Sequence, residues 1–396
     1  MTVKFLRAFL AIALIAAGVG LWAPSPGASN QNFVITNDNL IQGNNTGTVW
    51  QLENPASPEL VSKATLMTGG LNNYIGGAGM NEVATARHGT DVCVFISDDE
   101  SGSIASFVVP GYAEVGLFKL PGIVNSNSGL GLAARGQFLF ANYVDNTTEI
   151  AYIATWKIGS GCVLTLVNTY LPPGQVWGMA ATPDGKTLVV SYSVPVGSVD
   201  SFSIGADGSL LEHGPYDYFY LYAEATGVDI TADGKYAIMA EFSYGSPPNY
   251  KSYTEIGIYP INSDGSLGED IDFGANGSLG PGVYSTWIRL SPNEKFLYVS
   301  SNSDVTTLSF DESAPSVALS CNARMSTGVT GLTTIMPTAA GGFLAVTGSL
   351  PSVGGSLGLY KINPANGCLA QTPNSPINLG SNSIAASVAP WPPRPF

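Results

Sequence analysis

The sequence predicts an all-β protein, a seven-bladed β-propeller of four-stranded blades closed by a C-terminal strand that pairs with the N-terminal one. Three observations predict it. Short apolar runs recur seven times. Most follow a polar reversal and precede a glycine-containing hairpin, and the first unit lacks the strand with which the other six begin.

The runs are FVITND from Phe33, CVFISD from Cys93, FLFANY from Phe138, LVVSYS from Leu188, AIMAEF from Ala237, LYVSSN from Leu297 and LAVTGS from Leu344. Corresponding residues stand 45 to 60 positions apart, the length that four short strands and their turns occupy in one blade. Each run reads as strand b, second from the axis. Reversals such as Thr182-Pro183-Asp184-Gly185, Thr231-Ala232-Asp233-Gly234 and Ser291-Pro292-Asn293-Glu294 precede the runs. Proline presets φ there, and Gly or Asn accepts positive φ. Upstream of these turns VWGMAA from Val176, GVDI from Gly227 and TWIRL from Thr286 read as strand a. A third strand after each run leads into hairpins such as Asp207-Gly208, Asp264-Gly265 and Asn366-Gly367, which are strong turn signals. In the first unit strand b at 33–37 has no strand a ahead of it, and residues 383–388 (SIAASV) supply one from the other end of the chain. That pairing removes the open edges of a partial ring.

Lys4 and Arg7 precede an uncharged apolar run over residues 8–23, the layout of a secretory signal peptide. The expectation is a signal over residues 1–28 and one propeller domain over 29–396, secreted, periplasmic or extracellular. A retained anchor is the other reading, although the run falls short of the ~20 residues a span needs. The net charge is −14, only 11% of residues are charged, and the basic ones are scattered. Nucleic acid is therefore not expected as a partner and anionic membrane surfaces are poor ones, because both require a positive field. The expected form is a monomer without a membrane span after signal cleavage, and its partner a protein, a glycan or a small molecule.

Four cysteines in an exported chain point to disulfides. Cys93 falls in blade 2, Cys162 in blade 3, Cys321 in blade 6 and Cys368 in blade 7. Pairs across the ring exceed the ~7 Å limit on Cα separation, which leaves Cys93–Cys162 and Cys321–Cys368. Cys321 ends a strand d whereas Cys368 begins one, which sets them toward opposite faces, so free thiols stay open for the second pair.

The phrases TPDGKTLVVS (182–191), TADGKYAIMAE (231–241) and RLSPNEKFLYVSSN (289–302), with the hairpins FSIGADGSL and YPINSDGSL, resemble the lactonase-like or YVTN-type seven-bladed propellers. That group includes 6-phosphogluconolactonases of the propeller kind. The likeness extends over nearly the whole chain after residue 28 and is closest to secreted bacterial members without an assigned reaction. The resemblance implies a blade framework and, in its lactonases, His, Arg and Glu near the channel mouth. This chain has only His88 and His213, expected in the a-to-b turn of blade 2 and after an outer hairpin.

Propeller ligands sit where the blades converge on the axis. Counting back from the following turn gives one strand-a ring of Thr85, Gly131, Ala180, Asp229, Arg289, Met336 and Ser387. Asp229 and Arg289 are its charged members, from neighbouring blades, and either neutralise each other or act on a ligand. In the catalytic reading Arg289 holds an anionic group and Asp229 stands beside it. Glu241, the acid of the strand-b ring, then serves as base or metal ligand. Asp98, Asn142, Tyr192 and Asn302, at or just past the ends of strand b, are the candidate ligand-binding residues. Asp98, Asp99 and Glu100 form an acidic run in the b-to-c loop of blade 2, with Asp38 at the equivalent place in blade 1. Short acidic runs are ordinarily solvated. Calcium is nonetheless the one cofactor left open, with Asp38 and Asp98 as ligands. No nucleophile or zinc motif is present. Two function classes remain, an exported binding propeller and a hydrolase of small cyclic esters.

Overall fold

The computed structural model describes residues 33–391 apart from 41–42, 55–56, 73–80, 110, 123–129, 195–196, 219–222, 244–252, 272–278, 280–284, 302, 322–323, 330–332, 351–353 and 381–386. The expected signal segment and Asn302 lie outside the described residues.

Seven small antiparallel sheets follow one another around the ring. Blade 1 takes strand a from Ser387–Trp391 and strands b, c and d from Phe33–Asn37, Asn44–Glu53 and Glu59–Leu71. Blade 2 is Val83–His88, Asp91–Asp98, Ser103–Val109 and Ala113–Lys119, and blade 3 is Gly131–Arg135, Phe138–Val144, Ala151–Ile158 and Leu164–Tyr170. Blade 4 is Gln175–Ala181, Thr187–Val194, Ser198–Ile204 and Leu210–Tyr218. Blade 5 has strands a to c at Ala223–Ile230, Tyr236–Ser243 and Tyr253–Pro260. The backbone bonds Gly268 N to Pro260 O, Ile271 N to Ile258 O and Leu279 N to Thr254 O run alongside its strand c where a regular fourth strand was expected. Blade 6 is Ser285–Leu290, Phe296–Ser301, Asp304–Asp311 and a short strand d at Ser316–Leu319. Blade 7 is Thr333–Pro337, Phe343–Leu350, Gly354–Ile362 and Leu369–Gln371.

The ring closes as expected, by pairing of the C-terminal strand with strand b of blade 1, but in a different register. Phe33 pairs with Trp391 and Asn37 with Ser387, so the residues that face strand b are Ser387–Trp391, and residues 383–386 of the expected closing strand lie outside the described residues. The closing strand includes Pro390. Strand a is the innermost edge of its sheet, and a residue without an N–H is tolerated on an edge. The register corrects the strand-a ring at two places. Thr85, Ala180, Asp229, Arg289 and Met336 each face the second residue of their apolar run. In blades 3 and 1 the equivalents are Ala134, opposite Leu139, and Pro390, opposite Val34, not Gly131 and Ser387. The blade 3 reversal is only Gly136-Gln137, between the paired Arg135 and Phe138. Blade 1 has no a-to-b turn to count from.

The buried apolar side chains fall into seven clusters, one at each boundary between consecutive blades. Strand b explains why its runs are continuously apolar. Val34 faces the blade 7 side with Met336 and Leu359, while the next residue, Ile35, faces blade 2 with Val83 and Phe107. Both faces of a blade are buried, and alternation with polar residues would expose one of them to a neighbour. The turns use their side chains as expected. Thr182 Oγ1 donates to Asp184 Oδ1 at 2.7 Å, the Lys186 amide donates to the same oxygen at 3.1 Å, and Gly185 has φ 69°.

Both disulfides are formed, with Cα separations of 5.4 Å for Cys93–Cys162 and 5.8 Å for Cys321–Cys368. The expectation that the second pair would sit toward opposite faces is corrected by the shortness of strand d in blade 6. It stops at Leu319, Ser320 Oγ donates to Asn366 O in the blade 7 hairpin, and the outer edge resumes only as the pair Met325–Ser326 against Asp304 and Val305. Cys321 therefore lies at the break, level with the hairpin that carries Cys368.

Candidate functional site

Residues of all seven blades, among them Thr85, Ala134, Ala180, Asp229, Arg289, Met336 and Ala389, line a central cavity of about 170 Å³. The structure brings Asp229 and Arg289 together there, on adjacent strands a. Arg289 is 7% exposed. Its Nη1 donates across the boundary to Val228 O at 3.0 Å and to Ile288 O at 3.2 Å, and its guanidinium lies 4.7 Å from the centroid of the Trp287 ring. Asp229 reaches the other way, with Oδ2 accepting from the Leu290 amide at 2.8 Å and Oδ1 from the Ile230 amide at 3.1 Å. Each charged side chain thus binds the backbone of the other's blade. Arg135 joins them at the lining, with Nε donating to Pro183 O at 3.2 Å.

Glu241 does not belong to this group of residues. It faces Ala225, whereas Asp229 faces Ile238, three residues nearer the a-to-b turn. A strand advances about 3.3 Å per residue, so Glu241 is displaced along the strand by roughly 10 Å. It is buried and accepts from Tyr259 Oη at 2.7 Å. Asn142 donates from Nδ2 to Val176 O of the next blade at 3.1 Å. Tyr192 is packed in the apolar layer between blades 3 and 4, and burial, with Asp200 nearby, pushes its hydroxyl well above the usual range. His88 ends strand a of blade 2, and His213 Nε2 meets Ser203 Oγ at 2.7 Å on the outer strand of blade 4.

The acidic run is not solvated as expected, apart from Glu100. Asp98 and Asp99 are each 0% exposed, because the b-to-c turn of blade 2 folds inward against blade 1. A third acid, Glu82, precedes strand a of blade 2 and is also buried. Amides from blade 1 connect them. Asn37 Nδ2 donates to Glu82 Oε2 at 3.2 Å and Asn39 Nδ2 to the same oxygen at 2.6 Å. Asn45 Nδ2 bridges Asn37 Oδ1 and Asp98 Oδ1, both at 2.9 Å, and Thr68 Oγ1 donates to Asp98 Oδ1 at 2.7 Å. Burial raises all three acids, Glu82 to about 8 and Asp98 to about 6, with the mutual repulsion of the carboxylates adding to the shift at Glu82 and Asp99. Asp38, the other expected metal ligand, is separate. Its Oδ1 accepts from Thr36 at 2.7 Å, and its Oδ2 from Thr46 at 2.8 Å and Thr48 at 2.7 Å. Burial raises its pKa against the opposing effect of those bonds. Glu82 was missed because a single acid before a strand carries no signal until blade 1 covers it.

This fold, a seven-bladed propeller whose axial cavity is lined from every blade, is the one shared by proteins named as lactonases. A Bacteroides uniformis protein with a provisional 6-phosphogluconolactonase name aligns with TM-score 0.66 at 13% identity, covering 91% of this chain and all of that one. The periplasmic gluconolactonase of Pseudomonas aeruginosa aligns with TM-score 0.62 at 15% identity, over 91% of this chain and 99% of its own. In sequence, the 6-phosphogluconolactonase of Pectobacterium atrosepticum is 31% identical over 123 residues. The match spans 31% of this chain and 33% of that relative's length. No family model matches the chain.

Proposed function

We propose that the protein is an exported binding propeller, which engages a protein or glycan partner through its ring rather than turning over a substrate. The observation that carries this reading is the use of the two cavity charges. A base or an anion-holding guanidinium acts through donors and acceptors aimed at the substrate, whereas Asp229 and Arg289 are aimed at backbone groups of the neighbouring blade. Glu241 lies a further stretch along the strand, hydrogen-bonded to Tyr259. Export is supported by the two disulfides, since such bonds persist in oxidising compartments. The test is to assay purified protein on glycan and surface-protein arrays and, in parallel, for hydrolysis of 6-phosphogluconolactone and gluconolactone. Saturable array binding without turnover is expected.

The second reading is a lactone hydrolase, supported by the 123-residue likeness to a 6-phosphogluconolactonase. It predicts turnover that disappears in Arg289→Ala while near-ultraviolet circular dichroism shows the ring intact. That result would overturn the binding assignment.

A further inference from the structure

We propose that Asp99 and Glu82, flanked by Asp98 at the boundary of blades 1 and 2, hold one hard divalent cation of the calcium class. The inference begins with oxygens that lack partners. Asp99 is 0% exposed, and neither of its carboxylate oxygens has a hydrogen-bond partner. The Leu130 amide lowers its pKa a little but lies outside hydrogen-bonding geometry. Asp98 Oδ2 is also buried without a partner, although its other oxygen accepts two bonds. Leaving a carboxylate dry and unsatisfied costs more than almost any other arrangement in a fold. Glu82 O accepts from the Ser97 amide at 3.0 Å, two residues before Asp99, and the charges that raise Asp99 are those of Glu82 and then Asp98, so the three acids lie together.

The surroundings suit a cation better than they suit the carboxylates alone. Asn37 and Asn39 turn their Nδ2 donors to Glu82, and Asn45 turns its own to Asp98, which orients each group and supports its charged form. Lys119 is the cation whose charge reaches Asp98, and its ammonium donates to Ser101 O at 2.7 Å. Gly70 makes room for Asp98, because a Cβ there would stand 2.3 Å from Oδ2. Among the described residues no three acidic, imidazole or thiolate groups converge at metal-ligand distance. The ion is therefore held by the carboxylates of Asp99 and Glu82, with backbone carbonyls and water completing the six to eight oxygens that calcium takes.

The test uses the purified mature chain, stripped with EDTA and titrated with CaCl₂ and, as a size control, MgCl₂ at pH 7.5. Isothermal calorimetry and thermal melting are the readouts. One calcium per chain, a Tm that rises with calcium and a weaker response to magnesium are expected. Asp99→Asn should melt no lower than wild type in EDTA, since neither carboxylate oxygen has a hydrogen-bond partner to lose, yet bind calcium at least tenfold more weakly. Glu82→Gln should behave likewise, and it carries the test if Asp99→Asn fails to fold. Binding should weaken at pH 5.5, because calcium competes with protons for the same carboxylates. Neither heat nor a Tm shift with millimolar calcium would overturn the proposal, as would affinity left unchanged by both variants.

Discussion

Replacing Arg289 by Met removes a guanidinium that crosses from blade 6 to blade 5 while keeping an apolar stem of similar length. Two hydrogen bonds, at 3.0 Å to Val228 O and 3.2 Å to Ile288 O, and the contact with Trp287 disappear. A hydrogen bond from a charged donor contributes about 1.5–3 kcal/mol and a desolvated cation–π contact about 1 kcal/mol. The methionine stem recovers part of this, so we expect a net loss of about 3 kcal/mol. Asp229→Asn keeps an acceptor for the Leu290 amide and should lose only about 1 kcal/mol. Both side chains bridge the same boundary, so the double variant should lose less than the sum, with a coupling of at least about 0.5 kcal/mol. Urea denaturation at pH 7, followed by near-ultraviolet circular dichroism, measures all three. A loss below about 1 kcal/mol for Arg289→Met would refute the reasoning. The guanidinium would then be doing little for the ring, and a ligand-holding role would become the better account of its burial.

The Cys93–Cys162 bond encloses a sequence separation of 69 residues, for which chain entropy predicts about 4 kcal/mol. The Cys93→Ser/Cys162→Ser double variant should lose roughly that in urea melts, and a loss under about 1 kcal/mol would contradict the estimate. Gly70→Ala should be severely destabilising, because its Cβ would lie 2.3 Å from Asp98 Oδ2 and 2.6 Å from Asp98 Cβ, whereas Gly342→Ala meets nothing within 4 Å and should be near neutral. Equal melting temperatures for the two would refute the packing assigned to Gly70. Burial raises Glu82 from 4.5 to about 8, so between those values the folded state holds a proton that the unfolded state has lost. The stabilisation is complete below pH 4.5 and declines as pH rises toward 8, by up to about 1.4 kcal/mol per unit. In EDTA, stability should therefore fall from pH 5 to pH 8, and Glu82→Gln should flatten the slope. An unchanged slope would show that Glu82 does not set it.

The blade framework was legible because it is written in local chemistry. Turns such as Thr182-Pro183-Asp184-Gly185 close through side chains two to five residues apart, and strand b is apolar throughout because blades cover both of its faces. The cysteine pairing could be narrowed by position on the ring alone. The candidate site was less legible. Asp229 and Arg289 could be picked out as the charged neighbours of one ring, but their partners are main-chain groups of the next blade, which no residue type announces.

The amino-acid sequence by itself determined the number of blades, their order and closure between the chain ends, since each depends on contacts within a unit or on counting units. Only the tertiary structure decided the register of the closing strand, the meeting of Cys321 with Cys368, the separation of Glu241 from the axial pair and the burial of Glu82, Asp98 and Asp99. Those features arise where one blade is laid against another. An acid's solvation depends on what covers it, and here the cover for residues 82, 98 and 99 comes from blade 1, at Asn37, Asn39, Asn45 and Thr68.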